Sequence, residues 1–451
     1  THNSVVLLYY LKFLYPNKIL QDNPKYKVLE GKHIDLEKYR LKMKAAHVVE
    51  PVAGRHESVS ILDFAGLYPS IFRTFNISPE TIAKEGLTID DITIWQLINT
   101  LVAKKDDEED EEEDEDEPKK DDVLQEWVLE KNFSQENTGM YPALLKNLID
   151  KRKVHKNLAK ECAKLYGDKD FRTTMEEARS DVLKQIANSL YGVNGFNKSI
   201  LFNPIIGAAV TSISRKLIKH VKEKVDSREG FKVLTGDTDS LMIRHPKELD
   251  VHVFEKEINE EIQRFVFEKW PNINKEHYCL NFEYAKTYKL YVMKEAKKKY
   301  YGILNNEKEE FCCKGFCIIQ HVLPPKIKDW IKEIYVMLMN QQTNLAIKER
   351  IAEIKKEFYK LGANSLYQEI KIANDPDTYE TKVPHVIAAK YSNAFLETKF
   401  KGGDSGKLIY IKETLNKFKY PKTEYVFLDE DTSLPNELVI DYDRSWEKLF
   451  L

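Results

Sequence analysis

The chain of 451 residues contains little cysteine and no long apolar run. Its five cysteines are an odd number, which argues against a disulfide framework and indicates a reducing, intracellular compartment. No histidine or second cysteine pair stands at zinc spacing from the cluster of Cys312, Cys313 and Cys317. The apolar stretch 4–15 is shorter than the roughly 20 residues of a membrane span. It also lacks the cleavage site of a signal peptide, so we interpret it as a buried helix and expect no membrane partner.

The chain has little net charge, −3, but this value hides an uneven distribution. Residues 106–117 are twelve consecutive acids, and without them the charge of the chain is +9. A run of like charges repels itself and stays solvated, so we predict a disordered acidic insertion at about 104–122. A regulatory or nucleic-acid-mimicking role for this run is the alternative. The rest of the chain is basic, which is typical of a protein that binds a polyanion.

Hydrophobic periodicity predicts a mixture of helices and short strands. Residues 59–64 form a short apolar run that predicts a buried strand, and 231–235 with 241–244 predict a hairpin whose tip carries acids. Two helices with basic faces, 141–166 and 174–191, are expected to form an antiparallel hairpin that ends at Gly192. Further predicted elements are a strand pair at 289–293 and 300–304, helices at 327–339 and 345–361, and a mixed tail from Pro384.

Two aspartates follow apolar strands that are distant in the chain, Asp63 and Asp239. Carboxylates brought together from two strand ends are what a two-metal phosphoryl-transfer site requires, and Mg²⁺ shares such ligands with a triphosphate. Each aspartate taken alone is better explained as a turn residue. The pair, with its neighbours, favours an enzyme that acts on nucleotides.

Several segments resemble motifs of the B-family DNA polymerases, and they occur in that family's order over nearly the whole chain. They are 63–71 (DFAGLYPSI, motif A), 184–192 (KQIANSLYG, motif B), 236–240 (GDTDS, motif C), 297–300 (KKKY, the basic motif after motif C), 139–142 (GMYP, the start of the fingers helix, with Arg152 and Lys156), and 384–386 (PHV) with Gly403 and Asp404, which resemble the thumb. The run 76–81 (NISPET) is similar to phage, giant-virus or archaeal members.

The resemblance implies an α+β, right-hand polymerase fold. An antiparallel-sheet palm is expected at 1–138 and 198–322, helical-hairpin fingers at 139–197 and a mostly helical thumb at 323–451. It also implies template-directed DNA synthesis for DNA replication. In this reaction the 3′-hydroxyl of a primer attacks a dNTP and pyrophosphate leaves.

The resemblance also implies roles for individual residues. Asp63, the Phe64 carbonyl and Asp239 would hold two Mg²⁺ ions, which Mn²⁺ can replace, with Asp237 as a supporting acid. Lys184 is the candidate proton donor to the leaving group. The nucleotide would be bound by Phe64, Leu67, Tyr68, Arg152, Lys156, Lys184, Asn188 and Tyr191. Primer–template DNA would be bound by Lys297, Lys298, Lys299 and Tyr300.

Simpler readings of these residues stay open. Lysines on a helix commonly form a solvated face. Tyr68, taken alone, could be a core aromatic. Because it lies beside Asp63, however, we expect it to exclude a 2′-hydroxyl. The chain departs from the family at Gly66 (usually Ser), Thr235 (usually Tyr) and Lys299 (usually Arg), and also at Ala45, Ala46, Gln320 and His321. None of these departures removes a metal ligand.

Only about sixty residues precede Asp63, too few for an exonuclease domain, so Asp35 and Glu37 are interpreted as surface charges. We therefore expect the polymerase half of a split enzyme, or a piece of a larger protein. A separate exonuclease or N-terminal subunit and a sliding clamp are candidate partners, beside DNA and dNTP. The alternatives are an inactive structural subunit that binds DNA, and a two-metal nuclease.

Overall fold

The computed structural model describes residues 48–82, 133–196, 199, 201, 203–316 and 322–450. The predicted helix at 4–15, the acidic insertion, and the positions Ala45, Ala46, Gln320 and His321 lie outside these residues. In the described ranges, no helix has both the length and the apolar character needed to cross a membrane. The chain divides into two compact units, Thr1–Glu50 with Ser60–Lys286, and Pro51–Val59 with Thr287–Leu451.

The first unit contains an antiparallel hairpin at the centre of its sheet. Its strands follow the order β1-β3-β4-β2-β5. They are β1 (Val48–Val49), β2 (Gly54–Phe64, shared with the second unit), β3 (Lys232–Asp237), β4 (Ser240–Arg244) and β5 (Phe282–Met293, also shared). Strands β3 and β4 pair through a two-residue turn, with Asp237 opposite Ser240. The predicted strand at 59–64 and the predicted hairpin are therefore confirmed.

Glycine is required where β1 and β4 approach β3. A Cβ on Gly236 would lie 2.7 Å from Leu241 Cδ2 and 3.0 Å from Val49 Cγ2. Beside it, the Thr235 hydroxyl donates to the Val49 carbonyl at 3.3 Å. The threonine that departs from the family pattern thus ties β3 to β1.

Helices pack against this sheet around one apolar core. They are α1 (Leu67–Thr74), α2 (Met140–Tyr166), α3 (Phe171–Gly195), α4 (Pro204–Asp226) and α5 (Val251–Lys269). The predicted antiparallel hairpin of α2 and α3 is confirmed by contacts at its open end and along its length. The Tyr141 hydroxyl donates to Asn194 Oδ1 at 3.4 Å, and His155 Nδ1 lies 2.6 Å from Glu176 Oε2.

The prediction that Gly192 ends the second helix is wrong, because α3 continues to Gly195. A glycine inside a helix costs up to about 1 kcal/mol relative to alanine. Here Leu190 and Asn194 on either side are fully buried, and the Asn194 amide donates to the Leu190 carbonyl. Tertiary packing therefore overrides the local preference.

Side chains from an earlier turn cap the first turn of α2. The Gly139 N–H donates to Asn76 Oδ1 at 2.8 Å, the Tyr141 N–H to the Ser78 hydroxyl at 3.3 Å, and the Met140 N–H to Glu80. Asn76 Nδ2 in turn donates to the carbonyls of Ser134 and Asn137 at 2.6 and 2.8 Å. Because a helix leaves its first N–H groups without internal acceptors, these contacts fix where α2 begins.

A buried histidine links β2 to the end of β4. His245 Nδ1 lies 2.8 Å from the Pro246 carbonyl, which can only accept, so this nitrogen carries the proton. Nε2 then accepts from the Ser60 hydroxyl at 2.8 Å. Burial lowers the pKa of His245, because the charged imidazolium is poorly solvated there. The imidazole is therefore held neutral.

The second unit contains two sheets with helices. One carries the order β5-β6-β7, with β6 (Tyr300–Leu304) and β7 (Phe311–Lys314) antiparallel. The other is four-stranded: β8 (Gln368–Lys371), β9 (Ser405–Thr414), β10 (Tyr425–Leu428) and β11 (Leu438–Ile440). Its helices are α6 (Pro325–Met339), α7 (Asn344–Phe358), α8 (Pro384–Phe395) and α9 (Tyr442–Leu449). The region expected to be mostly helical thus also contains a sheet that the sequence did not predict.

Candidate active site

The end of β2 lies beside the tip of the β3–β4 hairpin. The Phe64 N–H donates to the Asp239 carbonyl at 2.9 Å, and the Ala65 N–H donates to the Asn281 carbonyl at 2.8 Å. Asp63 and Asp239 are therefore on adjacent backbones, although they are far apart in the chain. The turn also holds Thr238 at φ +58°, a value that a β-branched residue rarely adopts. The two acidic segments that the sequence singled out meet at one sheet end.

The carboxylates at this end do not form a ready-made metal cage. Within the described ranges, no group of three or more His, Cys, Asp or Glu side chains is arranged to hold a metal. Asp237, on β3, accepts a long hydrogen bond of 3.4 Å from the Thr238 hydroxyl. Mg²⁺ is commonly bound by one or two carboxylates together with substrate phosphates. The hard oxygens of Asp63 and Asp239 fit that kind of site.

Phe64 can contribute only its backbone to such a site. Its ring is buried and packs on Phe282, with the ring centroids 4.7 Å apart. Its N–H is already engaged by the Asp239 carbonyl. The carbonyl oxygen is thus the group of Phe64 with the chemistry of a metal ligand, as the family resemblance implies.

A pair of tyrosines adjoins the carboxylates. The rings of Tyr68, on α1, and Tyr191, on α3, have centroids 4.6 Å apart. Burial raises the pKa of Tyr68 to about 12, with smaller upward contributions from Tyr191 and the charge of Asp239, and Arg215 acts in the opposite direction. Burial also raises the pKa of Tyr191. Both phenols are therefore neutral hydrogen-bonding groups at physiological pH.

A tight turn leads from β2 into α1 and meets α3. Gly66, the cap of α1, has φ +61°, where glycine avoids the strain of a side chain. A Cβ at this position would lie 4.0 Å from Asn188 Oδ1, so Asn188 faces the turn. Leu67 begins α1, and its N–H has no acceptor inside the helix. The helix N-terminus is thus suited to an anion.

An open cavity of about 550 Å³ lies along one face of α3. It is lined by Asp181, Lys184, Gln185, Asn188 and Ser189, which recur at helical spacing. In the described part of the chain, Lys184 and, on α2, Arg152 and Lys156 form no ion pair, and the buried Nε of Arg152 has no hydrogen-bond partner. Cations that are not neutralised by the protein are suited to an anionic ligand.

The basic turn between β5 and β6 belongs to the second unit. Lys297, Lys298 and Lys299 are exposed, and the Lys299 N–H donates to the Ala296 carbonyl at 3.3 Å. The ring of Tyr300 is buried, 5.1 Å from that of Tyr291. The three lysines are thus exposed to solvent, whereas the buried ring of Tyr300 packs at the end of the turn.

Sequence reasoning missed one charged residue of this region, Arg215 on α4. It is only 7% exposed, and its charge partly opposes the rise that burial causes in the pKa of both Tyr68 and Tyr191. Every residue from Ala209 to Arg215 is buried. An arginine that continues an otherwise apolar or small-residue stretch was the only signal that could have identified it.

Comparisons with known proteins identify a family and several relatives. The family model described as DNA polymerase family B matches residues 4–450. The chain is 29% identical over 326 residues to the DNA polymerase of Paramecium bursaria Chlorella virus NY2A, covering 70% of this chain and 32% of that protein. It is 28% identical over 367 residues to DNA polymerase 1 of Sulfolobus acidocaldarius, covering 78% of this chain and 36% of that protein. It is 28% identical over 425 residues to the DNA polymerase delta catalytic subunit of Plasmodium falciparum, covering 89% of this chain and 34% of that protein.

A solved structure is similar in fold. The family B DNA polymerase from Pyrobaculum calidifontis superposes with a TM-score of 0.52 at 21% identity, over 91% of this chain and 46% of that one. At this identity the likeness shows the fold alone, a mixture of helices and antiparallel sheet. The chain spans about a third of the length of the curated relatives named above.

Proposed function

Because the chain belongs to DNA polymerase family B, we propose that it is a DNA-directed DNA polymerase, a nucleotidyltransferase that extends a primer along a template. The observation that carries this proposal is the meeting of Asp63 and Asp239 beside the tyrosine pair, with Asn188 on the neighbouring helix. Carboxylates alone would suit any two-metal phosphoryl-transfer enzyme. The adjoining aromatic pair and cationic helix favour one that selects a nucleotide triphosphate.

Asp63 and Asp239, with the Phe64 carbonyl and with Asp237 in support, would hold two divalent ions, Mg²⁺ or Mn²⁺. Such ions, when bound, supply Lewis-acid activation of the primer hydroxyl and neutralise charge on the leaving pyrophosphate. The protein's part is to hold both carboxylates at fixed strand ends. The hydrogen bond from the Phe64 N–H to the Asp239 carbonyl does this through the backbone.

The cationic side chains Arg152, Lys156 and Lys184 would bind the triphosphate, together with the Leu67 N–H. A guanidinium contacts two phosphate oxygens at once, whereas a lysine acts as a point charge. Lys184 would in addition give a proton to the leaving pyrophosphate. Its place along the cavity on α3 supports this role.

Tyr68 would lie against the sugar and exclude a 2′-hydroxyl, while Asn188 and Tyr191 border the new base pair. A half-buried ring packed at 4.6 Å against a second ring resists displacement, which supports a steric role. Lys297, Lys298 and Lys299 would contact phosphates of the primer–template without reading its sequence, with Tyr300 holding their turn.

The division into palm (1–138 and 198–322), fingers (139–197) and thumb (323–451) belongs to this proposal. So do the reducing, intracellular location and a role in DNA replication. An exonuclease or N-terminal subunit and a sliding clamp are proposed partners beside DNA and dNTP. The basic charge of the chain outside its acidic run supports a polyanionic partner.

Primer extension with Mg²⁺ and dNTPs tests the proposal. Asp239→Asn is expected to lower the rate by at least about 10²–10³-fold while primer–template binding is retained. Asp329→Asn, an exposed aspartate on α6, is the matched control and should extend normally. Wild type should also stop when EDTA removes divalent ions. Equal extension by wild type and Asp239→Asn would refute the mechanism, and DNA binding without extension by either would favour a structural subunit.

A further inference from the structure

Arg215 stands out among the charged residues of the first unit. Of the Asp, Glu, Lys and Arg side chains whose burial is described, only Arg215 and Glu176 are as little as 7% exposed. Glu176, on α3, forms ion pairs with His155 of α2 and with Arg179 of its own helix. A buried charge is costly unless it interacts with groups that compensate for lost water. Arg215 therefore has a specific electrostatic environment.

That environment includes the tyrosine pair. Helix α4 packs against α1, which carries Tyr68, and against α3, which carries Tyr191. The charge of Arg215 acts on both phenols, and on Tyr68 it opposes the charge of Asp239. One guanidinium, buried on a helix that packs against both tyrosine-bearing helices, thus lies within electrostatic range of both rings.

We propose that Arg215 is a positioning residue that holds the Tyr68–Tyr191 pair in register and thereby sets how strongly the site rejects a ribonucleotide. This inference rests on the proposed polymerase function. A steric filter discriminates only as well as its ring is held, because a misplacement of about 1 Å at a reaction site can change a rate by about 10²-fold. Arg215 is buried on a third helix that packs against the helices of both tyrosines, so it can act on the pair from the protein interior.

The measurement is the ratio of kcat/KM for dCTP to kcat/KM for CTP in single-nucleotide primer extension. Arg215→Met keeps the length of the side chain and removes the charge, and we expect it to lower this ratio by about tenfold or more. Arg215→Lys, which keeps the charge, should recover part of the ratio. Lys219→Met removes an exposed cation one turn further along α4 and should leave the ratio unchanged.

A double-mutant cycle separates positioning from a general loss of structure. If Arg215 acts through Tyr68, Arg215→Met should no longer change the ratio when Tyr68→Ala has already removed the ring. If Arg215→Met lowers kcat/KM equally for dCTP and CTP, their ratio is unchanged and Arg215 is only a structural residue. If Arg215→Met lowers the ratio just as much in the Tyr68→Ala background, Arg215 does not act through Tyr68. If Arg215→Met does not fold, the comparison of Arg215→Lys with wild type in both backgrounds decides.

A readout that does not depend on catalysis distinguishes this inference from the proposed function. In crystal structures of Arg215→Met or Arg215→Lys, the Tyr68 and Tyr191 ring centroids should move away from their 4.6 Å separation. An unchanged pair would overturn the inference even if the enzyme is active. Failure of wild type to extend a primer would instead overturn the proposed function, and the ring geometry would still test the role of Arg215.

Discussion

Replacing Asn76 by alanine is expected to loosen the start of α2 and destabilise the first unit. The Asn76 side chain is fully buried and makes three hydrogen bonds: it accepts from the Gly139 N–H and donates to the carbonyls of Ser134 and Asn137. Its backbone has φ +53°, which asparagine tolerates better than alanine. The substitution therefore removes a polar network and adds backbone strain.

The magnitude follows from these two effects. A buried N–H that loses its acceptor costs about 1–3 kcal/mol. The two carbonyls that lose a donor add about 1 kcal/mol together, and alanine at positive φ adds about 1 kcal/mol more. The free energy of unfolding should thus fall by about 3–5 kcal/mol, a large part of the ~5–15 kcal/mol typical of a folded protein. Asn76→Gly removes the same contacts without the strain, so it should be about 1 kcal/mol more stable than Asn76→Ala.

Urea unfolding followed by circular dichroism measures the total change. Because the chain has two compact units, hydrogen exchange with mass spectrometry should accompany it and locate the effect. Amides at the start of α2 should exchange faster in Asn76→Ala, while those of β9 in the second unit should not change. Stability within about 0.5 kcal/mol of wild type, or equal stability of the alanine and glycine variants, would refute the reasoning.

Three further predictions concern backbone strain, pH and packing. Thr238→Gly should stabilise the protein by about 0.5–1 kcal/mol in urea unfolding, because it removes a β-branched side chain at φ +58°; a loss of stability would contradict this. The lowered pKa of His245 means that only the unfolded chain gains a proton as pH falls below the ordinary imidazole value, so the melting temperature should drop there. His245→Gln should abolish that part of the pH dependence, and an unaltered profile would show that other groups cause it. Gly302→Ala should destabilise by at least about 2 kcal/mol, since its Cβ would lie 2.5 Å from the Leu290 carbonyl oxygen. The control Gly192→Ala, whose new Cβ would meet nothing within 4 Å beyond its chain neighbours and its own helix backbone, should be neutral or stabilising.

Much of the local structure could be predicted because it depends on neighbours in the chain. Apolar runs bounded by turn residues identified β2 and the β3–β4 hairpin, and helical periodicity identified α2 and α3. The errors have tertiary causes. Helix α3 passes through Gly192 because the residues around it are buried, and the sheet β8–β11 was missed because most of its strands are only three or four residues long.

In the candidate site, too, some residues could be predicted from local spacing and others could not. Spacing within α3 was enough to place Lys184, Asn188 and Tyr191 on one helical face, since helical geometry is local. For Arg215 the only local signal is an arginine that continues a buried stretch of apolar and small residues. Its electrostatic effect on two tyrosines of other helices depends on tertiary packing.

The sequence by itself determined the family and the residue types proposed for the site: carboxylates at two strand ends, an aromatic after the first, and a cationic helix. Only the tertiary structure decided how these groups meet. The Phe64 N–H joins the Asp239 carbonyl, the Tyr68 ring packs on Tyr191, and Asn188 faces the Gly66 turn. The physical reason is that side-chain type and periodicity are written along the chain, whereas adjacency between distant segments depends on the packing of the whole core.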